Sequence, residues 1–146
     1  MSQDKIKFKI ITPEKTVFES EVDQATLPVS DGEVTILAKH RPYIASLKPG
    51  EIMLKAQGNE TSLVVSGGFI EFNQNNLTVL ADTAERAEEI DLQRAEEARA
   101  RAEEIKKERI SMDDSEYARV AASIEKELAR IKVGRKHHSR RGITID

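Results

Sequence analysis

The chain has 146 residues, of which 34% are charged and 38% hydrophobic, and its formal net charge at pH 7 is -3. The absence of cysteine excludes disulfides and thiolate chemistry, and the mild negative charge gives no overall attraction to nucleic acid. Hydrophobic residues occur in short runs, far below the roughly 18 consecutive residues that a membrane-spanning helix needs. Association with a membrane is therefore expected only through a larger complex.

The first segment of the chain, Met1 to Lys5, has neither the apolar stretch of a secretory signal nor an arginine-rich leader. We therefore expect a protein that is not exported. Apolar side chains then recur with period two: Ile6, Phe8 and Ile10 alternate with lysines, as in a strand with one buried face. Because turn-forming residues interrupt this pattern at short intervals, residues 1–85 are predicted to form an all-β sandwich or barrel.

Residues 86–133 show helical spacing, with apolar side chains three or four positions apart. The two predicted stripes are Ala95, Ala98, Ala102 and Ile105, and then Tyr117, Ala121, Ile124, Leu128 and Ile131. Asp113, followed by Glu116, predicts the start of the second helix, and the short connection before it predicts an antiparallel α-helical hairpin. Gly134 predicts the end of that helix, and the basic residues 134–146 are expected to form a flexible tail.

Two neighbouring segments contain the most specific motif of the chain. Residues 65–71 read V-S-G-G-F-I-E, and residues 77–86 read L-T-V-L-A-D-T-A-E-R. This combination resembles the signature of the epsilon subunit of F-type ATP synthases. Residues 32–42 are similar to that family's G-E-x-G-I-L-P-x-H-x-P loop, but Thr35 replaces a glycine and Ala38 replaces a proline. The family's backbone path need not be kept at these two positions.

The resemblance implies both a fold and a role. The fold is a sandwich of about ten strands followed by the helical hairpin, and the role is that of a non-catalytic rotor component in the central stalk of a proton-translocating ATP synthase. The implied partners are the gamma subunit, the c-ring, and the alpha and beta subunits, and the helices are expected to inhibit ATP hydrolysis. The expected location is peripheral, on the cytoplasmic face of the bacterial plasma membrane, with an organellar energy-transducing membrane as the alternative. Gly32, Glu33 and His40 are the expected contacts with the c-ring.

Ile90, Asp91 and Arg94 fit the motif I/L-D-x-x-R-A, with which some bacterial members of the resembled family bind ATP. The family's site adds two arginines from the second helix; Arg130 matches one of them, and Lys126 stands in place of the other. A guanidinium fork suits phosphate, and a carboxylate can accept hydrogen bonds from the ligand. ATP is therefore a candidate regulatory ligand, and no other cofactor is expected. The alternative interpretation is that Asp91 caps the first helix and Arg94 pairs with nearby acids.

Basic residues accumulate toward the end of the second helix, where the sequence from Arg130 to Arg141 has no acidic residue. The resemblance implies that these cations contact an acidic loop of the beta subunit and so inhibit ATP hydrolysis. The candidate residues are Lys126, Arg130, Lys132, Arg135 and Lys136. Such a contact is expected to weaken as salt rises. The alternative is a disordered, solvated tail.

The sequence shows no pattern typical of a catalytic or metal-binding site. The adjacent His137 and His138 do not have helical metal-ligand spacing, and Gly67 with Gly68 fits a bulge or tight bend in a strand better than a phosphate cradle. Two further classes of function stay open beside the rotor subunit. One is a free ATP-sensing protein, and the other is a coiled-coil adapter, for which longer heptad stretches would be expected.

Overall fold

The computed structural model of the chain describes residues 4–108 and 113–140. The chain divides into two compact units between Arg86 and Ala87. Three segments lie outside the described residues: 1–3, 109–112 and 141–146. Residues 109–112 belong to the predicted connection between the helices, and residues 141–146 to the predicted tail.

The first unit is a ten-stranded sheet that folds over into two layers, as predicted. Its strands are β1 (Ile6–Ile11), β2 (Thr16–Val22), β3 (Gln24–Val29), β4 (Gly32–Leu37), β5 (Tyr43–Leu47), β6 (Gly50–Ala56), β7 (Asn59–Val65), β8 (Gly68–Asn73), β9 (Asn76–Ala81) and β10 (Ala84–Arg86). The strand order is β10-β7-β6-β3-β5-β8-β9-β1-β2, and β4 pairs with β3. The layers join where Val29 of β3 pairs with Leu47 of β5.

The core of the first unit is made by the period-two apolar residues. On β1, Phe8 and Ile10 are fully buried, and they lie beside Leu77 and Val79 of the parallel neighbour β9. Phe72 of β8 contributes a second buried ring to the same core. Burying a large apolar side chain stabilises the fold by roughly 1.5–3 kcal/mol, so this interior holds the sheet together while the outer faces remain available for contacts.

Two tight hairpin turns use residues with positive φ, the geometry that matches the twist of paired strands. Gln57 and Gly58, with φ of 52° and 80°, connect β6 to β7. Gln74 and Asn75, with φ of 49° and 61°, connect β8 to β9. Both turns are among the interruptions of the period-two pattern that predict a sandwich or barrel.

The segment predicted as a loop over residues 32–42 begins as strand β4 and turns only after Leu37. β-branched side chains favour the pleated strand, and Thr35 pairs with Thr26 of β3, with their hydroxyl oxygens 3.0 Å apart. The threonine that replaces the family's glycine therefore supports a regular strand. The expected loop is confined to the few residues between Leu37 and Tyr43.

The second unit consists of a short 3₁₀ turn, Ala87–Glu89, and two helices, α1 (Leu92–Lys107) and α2 (Asp114–Arg140), that form the predicted hairpin. Asp91 caps α1, because its carboxylate accepts a hydrogen bond from the N–H of Arg94 at 3.1 Å. Asp113 precedes α2 and accepts in the same way from the N–H of Glu116 at 2.8 Å. Both caps satisfy N–H groups that a helix start otherwise leaves without a partner.

Gly134 does not end α2, which continues to Arg140. A glycine ends a helix when it takes the left-handed conformation, whereas Gly134 is buried within the helix. The prediction of a flexible tail is therefore wrong for residues 134–140.

The helical stripes are predicted correctly in part. Ala95, Ala102 and Ile131 are buried, whereas Leu128 is 42% exposed. Its neighbour Glu127 takes the buried position, with 6% exposure. Residues 127, 131 and 134 follow the helical four-three spacing, so the buried stripe keeps Ile131 but contains Glu127 in place of Leu128.

Candidate functional site

An apolar patch lies on the outer face of the layer that contains β1, β8 and β9. Phe69 and Leu80 face each other across β8 and β9 and are 59% and 53% exposed. Leu80 also pairs with Ile11 of β1, so three apolar side chains lie in one row across three strands. We call Ile11, Phe69 and Leu80 the outer apolar patch. Alternation along the strands explains it, because the next residue on β8, Ile70, points inward and is buried.

The outer apolar patch borders a shallow cleft of about 450 Å³. The cleft is lined by Ile11, Thr12, Pro13, Gly68, Phe69, Leu80, Ala81 and Asp82. Gly68 permits the close approach of strands beneath it, because a Cβ there would lie 1.9 Å from the carbonyl oxygen of Leu80. Its φ of 139° is also one that other residues rarely adopt. The predicted bend at the two glycines thus sets Phe69 directly opposite Leu80.

One row further along the same face, the side chains are mostly polar. Ile44 of β5 is 75% exposed and pairs with Glu71 of β8, which pairs in turn with Thr78 of β9. Lys9 of β1 completes this row. The patch therefore has an apolar centre with charged side chains beside it, which is the usual anatomy of a protein interface.

The residues expected to contact the c-ring lie at two places. Gly32 and Glu33 are exposed at the start of β4, whereas His40 follows the end of β4. A six-residue strand extends for roughly 17 Å at about 3.3 Å per residue. Glu33 and His40 are therefore not brought together into one compact site.

His40 holds the loop after β4 in place. Its ring packs edge-on against Tyr43 and Phe72, with centroids 5.9 and 5.7 Å away, and its Nδ1 donates to the carbonyl oxygen of Arg41 at 2.7 Å. The N–H of Lys39 also donates to Asn75 Oδ1 at 2.6 Å, which ties this loop to the β8–β9 turn. The structure thus gives His40 an internal packing role, and its contact with the c-ring stays a prediction.

The residues proposed for ATP binding are partly engaged within the helical unit. Ile90 is buried, and Asp91 caps α1. Arg130 donates from its guanidinium to Glu127 at 2.8 Å, and the two side chains are 17% and 8% exposed. Arg94 is exposed on the first turn of α1. Sequence reasoning missed Glu127, because an acidic residue beside a leucine is normally assigned to the solvated face.

The cations proposed to contact the beta subunit lie on two faces of α2. Lys126 and Arg130 are four positions apart and share one face, whereas Lys132 and Lys136 share another. Arg135 reaches Glu96 of α1 at 2.7 Å and so links the two helices. A single flat partner cannot contact all five cations of the predicted set at once.

Within the described ranges 4–108 and 113–140, no group of three or more histidine, aspartate or glutamate side chains is arranged to hold a metal ion. Among the helices of the same ranges, none has the length and hydropathy to cross a membrane.

A two-layer sheet with an exposed apolar row, joined in sequence to a charged helical hairpin, defines a class of protein that acts through contacts with other proteins. Residues 5–87 match the beta-sandwich domain, and residues 88–134 the long alpha-helix domain, of the ATP synthase Delta/Epsilon chain. The chain belongs to this ATP synthase delta/epsilon chain family.

Curated relatives place the chain among the epsilon members of the family. The ATP synthase epsilon chain of Dehalococcoides mccartyi is 44% identical over 137 residues, which cover 90% of this chain and 94% of the relative. The epsilon chain of Herpetosiphon aurantiacus is 39% identical over 135 residues, with 92% and 98% coverage. That of Geobacter sulfurreducens is 39% identical over 133 residues, with 91% and 96% coverage.

Solved structures show the same fold. A chain in the Euglena gracilis mitochondrial ATP synthase, in an assembly of OSCP, F1 and c-ring, has a TM-score of 0.72 at 22% identity, with 86% of this chain and 78% of that chain covered. A chain in the central stalk and c-ring of Tetrahymena thermophila mitochondrial ATP synthase has a TM-score of 0.60 at 13% identity, with 92% and 99% covered. The resemblance noted in the sequence and the predicted fold class are both confirmed.

Family membership makes the chain a non-catalytic epsilon-type subunit of a membrane-associated ATP synthase. Its functional residues are therefore those that contact other subunits, and the outer apolar patch is the strongest candidate for such a contact on the first unit.

Proposed function

We propose that the chain is a rotor component of the central stalk that couples proton flow to ATP synthesis. In this proposal the sheet binds the gamma subunit and the c-ring, and the helices contact the alpha and beta subunits and inhibit ATP hydrolysis. The bacterial relatives favour the cytoplasmic face of the plasma membrane. The observation that carries the proposal is the outer apolar patch, because an exposed apolar row across three paired strands needs a partner.

The outer apolar patch suits the gamma subunit better than the other partners. A rotor contact must persist through every turn, and permanent interfaces are more hydrophobic than transient ones. Phe69 offers the kind of large, rigid anchor that dominates binding energies. Glu71 and Lys9, in the adjoining row, supply a polar rim that keeps water out of the apolar centre.

The experiment is to measure binding of the gamma subunit by the full chain carrying Phe69→Ser. Because Phe69 is more than half exposed, its replacement should leave the fold intact. We expect the Kd to rise at least about thirtyfold, since losing an aromatic anchor costs about 2 kcal/mol or more. Leu37→Ser, which removes a 53% exposed apolar side chain from β4 outside the outer apolar patch, is the matched control. Equal affinities for the two variants would show that gamma does not bind at the patch.

We further propose that Gly32, Glu33 and His40 contact the c-ring, which sets a minimum length for the surface of the partner. A surface that contacts both Glu33 and His40 has to extend along the full length of β4, roughly 17 Å. A ring of repeated subunits meets this condition better than a single protruding side chain. Cross-linking from cysteines placed at positions 33 and 40 in the assembled complex tests it, and cross-links to c subunits from neither position would contradict it.

For inhibition, the cations on one face of α2, Lys132 and Lys136, are the strongest candidates to contact an acidic loop of the beta subunit. Reversing both charges should raise the ATPase rate of the complex, and salt should reduce the difference from the parent. The double variant Arg101→Glu/Lys107→Glu, at two exposed positions of α1, changes the net charge by the same amount and is the control. An unchanged rate in the double variant would rule out an electrostatic contact on this face.

A further inference from the structure

Gly134 is an unusual residue for its place in α2. A glycine inside a helix is less favourable than alanine by about fivefold in the equilibrium constant of helix formation. Gly134 is nevertheless helical, with helix on both sides, and it is buried. Such a residue usually has a packing reason.

The packing reason is visible at the start of α1. A Cβ on residue 134 would lie 2.8 Å from Leu92 Cδ2, 3.2 Å from Leu92 Cγ and 3.0 Å from Ile90 Cγ2. The distance of 2.8 Å is one that real Cβ atoms essentially never show, and the other two are tighter than most real Cβ contacts. The backbone of α2 at Gly134 is therefore the surface against which Ile90 and Leu92 lie.

Further contacts between the helices are concentrated at the same end of the hairpin. Ile131, one turn before Gly134, is 4% exposed, and Ala95 of α1 is fully buried. The guanidinium of Arg135, the next residue along α2, contacts Glu96. Toward the other end, Ile105 of α1 is 50% exposed and contributes less to the interface, although Lys106 of α1 lies over the ring of Tyr117, 5.5 Å from its centroid.

We propose that the closed helix pair depends on the absence of a side chain at Gly134, where Ile90 and Leu92 lie against the backbone of α2. We call this contact the Gly134 notch, and we infer that a larger residue there opens the pair at this end. Opening separates Ile90 and Leu92 from α2 and also releases Arg135 from Glu96. This inference concerns packing within the helical unit and holds whether or not the helices inhibit ATP hydrolysis.

The full chain is well suited to a distance measurement, because it has no cysteine. Spin labels are attached to cysteines introduced at the exposed positions Gln93 and Ser139. Double electron–electron resonance spectroscopy then measures the distance between the two labels, which reports the separation of the helices at this end. Gly134→Leu should shift the ratio of open to closed pairs about five- to a hundredfold, the range that overpacking of a filled interface produces. Gly134→Ala should shift it less, because Leu92 Cδ2 is the end of a flexible side chain.

Ser123 provides the matched control, since it is exposed on the same helix. Ser123→Leu and Ser123→Ala introduce the same side chains without meeting α1. Distance distributions for the Gly134 variants that equal those of the Ser123 variants would overturn the proposal.

Far-UV circular dichroism establishes whether α2 stays helical in Gly134→Leu. If helix is lost there, the double variant Gly134→Ala/Leu92→Ala is compared with Gly134→Ala, because it removes Leu92 Cδ2, the nearest obstructing atom, together with Leu92 Cγ. If the short distance between the labels is recovered in the double variant, the result supports the proposal; if it is not recovered, the proposal is rejected. ATPase assays on the same variants separate the proposals: opening without any change in inhibition would keep the notch and reject the inhibitory role of the helices.

Discussion

At the scale of single residues, the pair formed by Glu127 and Arg130 bears most directly on whether the chain binds ATP. Its side chains are more buried than those of the other ion pairs described, at 8% and 17% exposure. Removing charges from water is costly, and a buried pair persists only when its partners satisfy each other. A phosphate that binds Arg130 therefore competes with the carboxylate of Glu127 for the guanidinium.

Regulatory binding of ATP remains a proposal, and Glu127→Gln tests it. If Arg130 contacts the phosphates, the neutral amide should lower the Kd for ATP about tenfold, because the competing charge is gone. Calorimetric titration of the full chain measures this, with Glu125→Gln on the exposed side of α2 as the control. No saturable binding by either the parent or Glu127→Gln at millimolar ATP would end the proposal.

The sequence predicted the cap at Asp113 and offered the cap at Asp91 as an alternative to ATP binding, but it did not predict this ion pair, for a physical reason. A cap depends on residues three positions apart in the chain, so Asp91 and Asp113 could be recognised locally. The burial of Glu127 depends on how the facing helix is rotated, and neighbouring residues do not reveal that. Hydrophobicity therefore favoured Leu128, which is 42% exposed.

Asp23 introduces a pH dependence into the first unit. Its carboxylate accepts hydrogen bonds from Lys5 and from the N–H of Gln57, and these lower the pKa of Asp23 below its ordinary value. The bond to Gln57 also supports the positive φ of 52° in the β6–β7 turn. A carboxyl with a lowered folded pKa contributes stability that is complete above its unfolded pKa of about 3.9 and is lost as the pH falls through the folded value.

Asp23→Asn should therefore be less stable than the parent at pH 7, and the difference should shrink as the pH falls below about 4. Urea unfolding at a series of pH values measures it. Asp31→Asn, exposed in the β3–β4 turn, serves as the control. A difference that stays constant down to pH 2 would mean that the charge of Asp23 is not what stabilises the turn.

At the scale of elements, the approach of β8 and β9 depends on Gly68. Gly68→Ala should destabilise the chain by about 3 kcal/mol or more, because the new Cβ meets the Leu80 carbonyl and the residue keeps a positive φ. Gly58→Ala is a close control: its φ is +80°, but nothing lies within 4 Å of the added Cβ. That control should cost only about 1–2 kcal/mol. Equal losses in urea unfolding would show that the close contact with Leu80 does not matter.

The sequence predicts well the elements that have a strict hydrophobic periodicity, but it does not predict the residues at which elements begin and end. The alternation of Ile6, Phe8 and Ile10 gave β1, because burial on one face repeats every second residue. The extent of β4 was missed because pairing between Thr35 and Thr26 is a contact between strands. Gly134 was taken for a helix end because a glycine in the sequence does not show whether it lies in a turn or against another helix.

At the scale of the whole chain, the two units have separate interiors. The core residues of the first unit all lie between Ile6 and Ala84. β10, which ends at Arg86, pairs with β7, and the guanidinium of Arg86 lies 4.9 Å from the ring of Phe18. A chain that ends at Arg86 therefore keeps all the strands and the core that hold the sheet together.

Deleting residues 87–146 should leave a folded sheet, with a Tm that changes by only a few degrees from that of the parent's first unit. Because the outer apolar patch lies on the retained part, the fragment should bind the gamma subunit with the parent's affinity, and Phe69→Ser should weaken that binding. The assembled complex should lose the inhibition of ATP hydrolysis, since the cations of α2 are gone. Calorimetry, gamma binding and ATPase rates measure these three outcomes separately. A fragment that unfolds would show that the helices stabilise the sheet, and a folded fragment that still inhibits would place inhibition in the sheet.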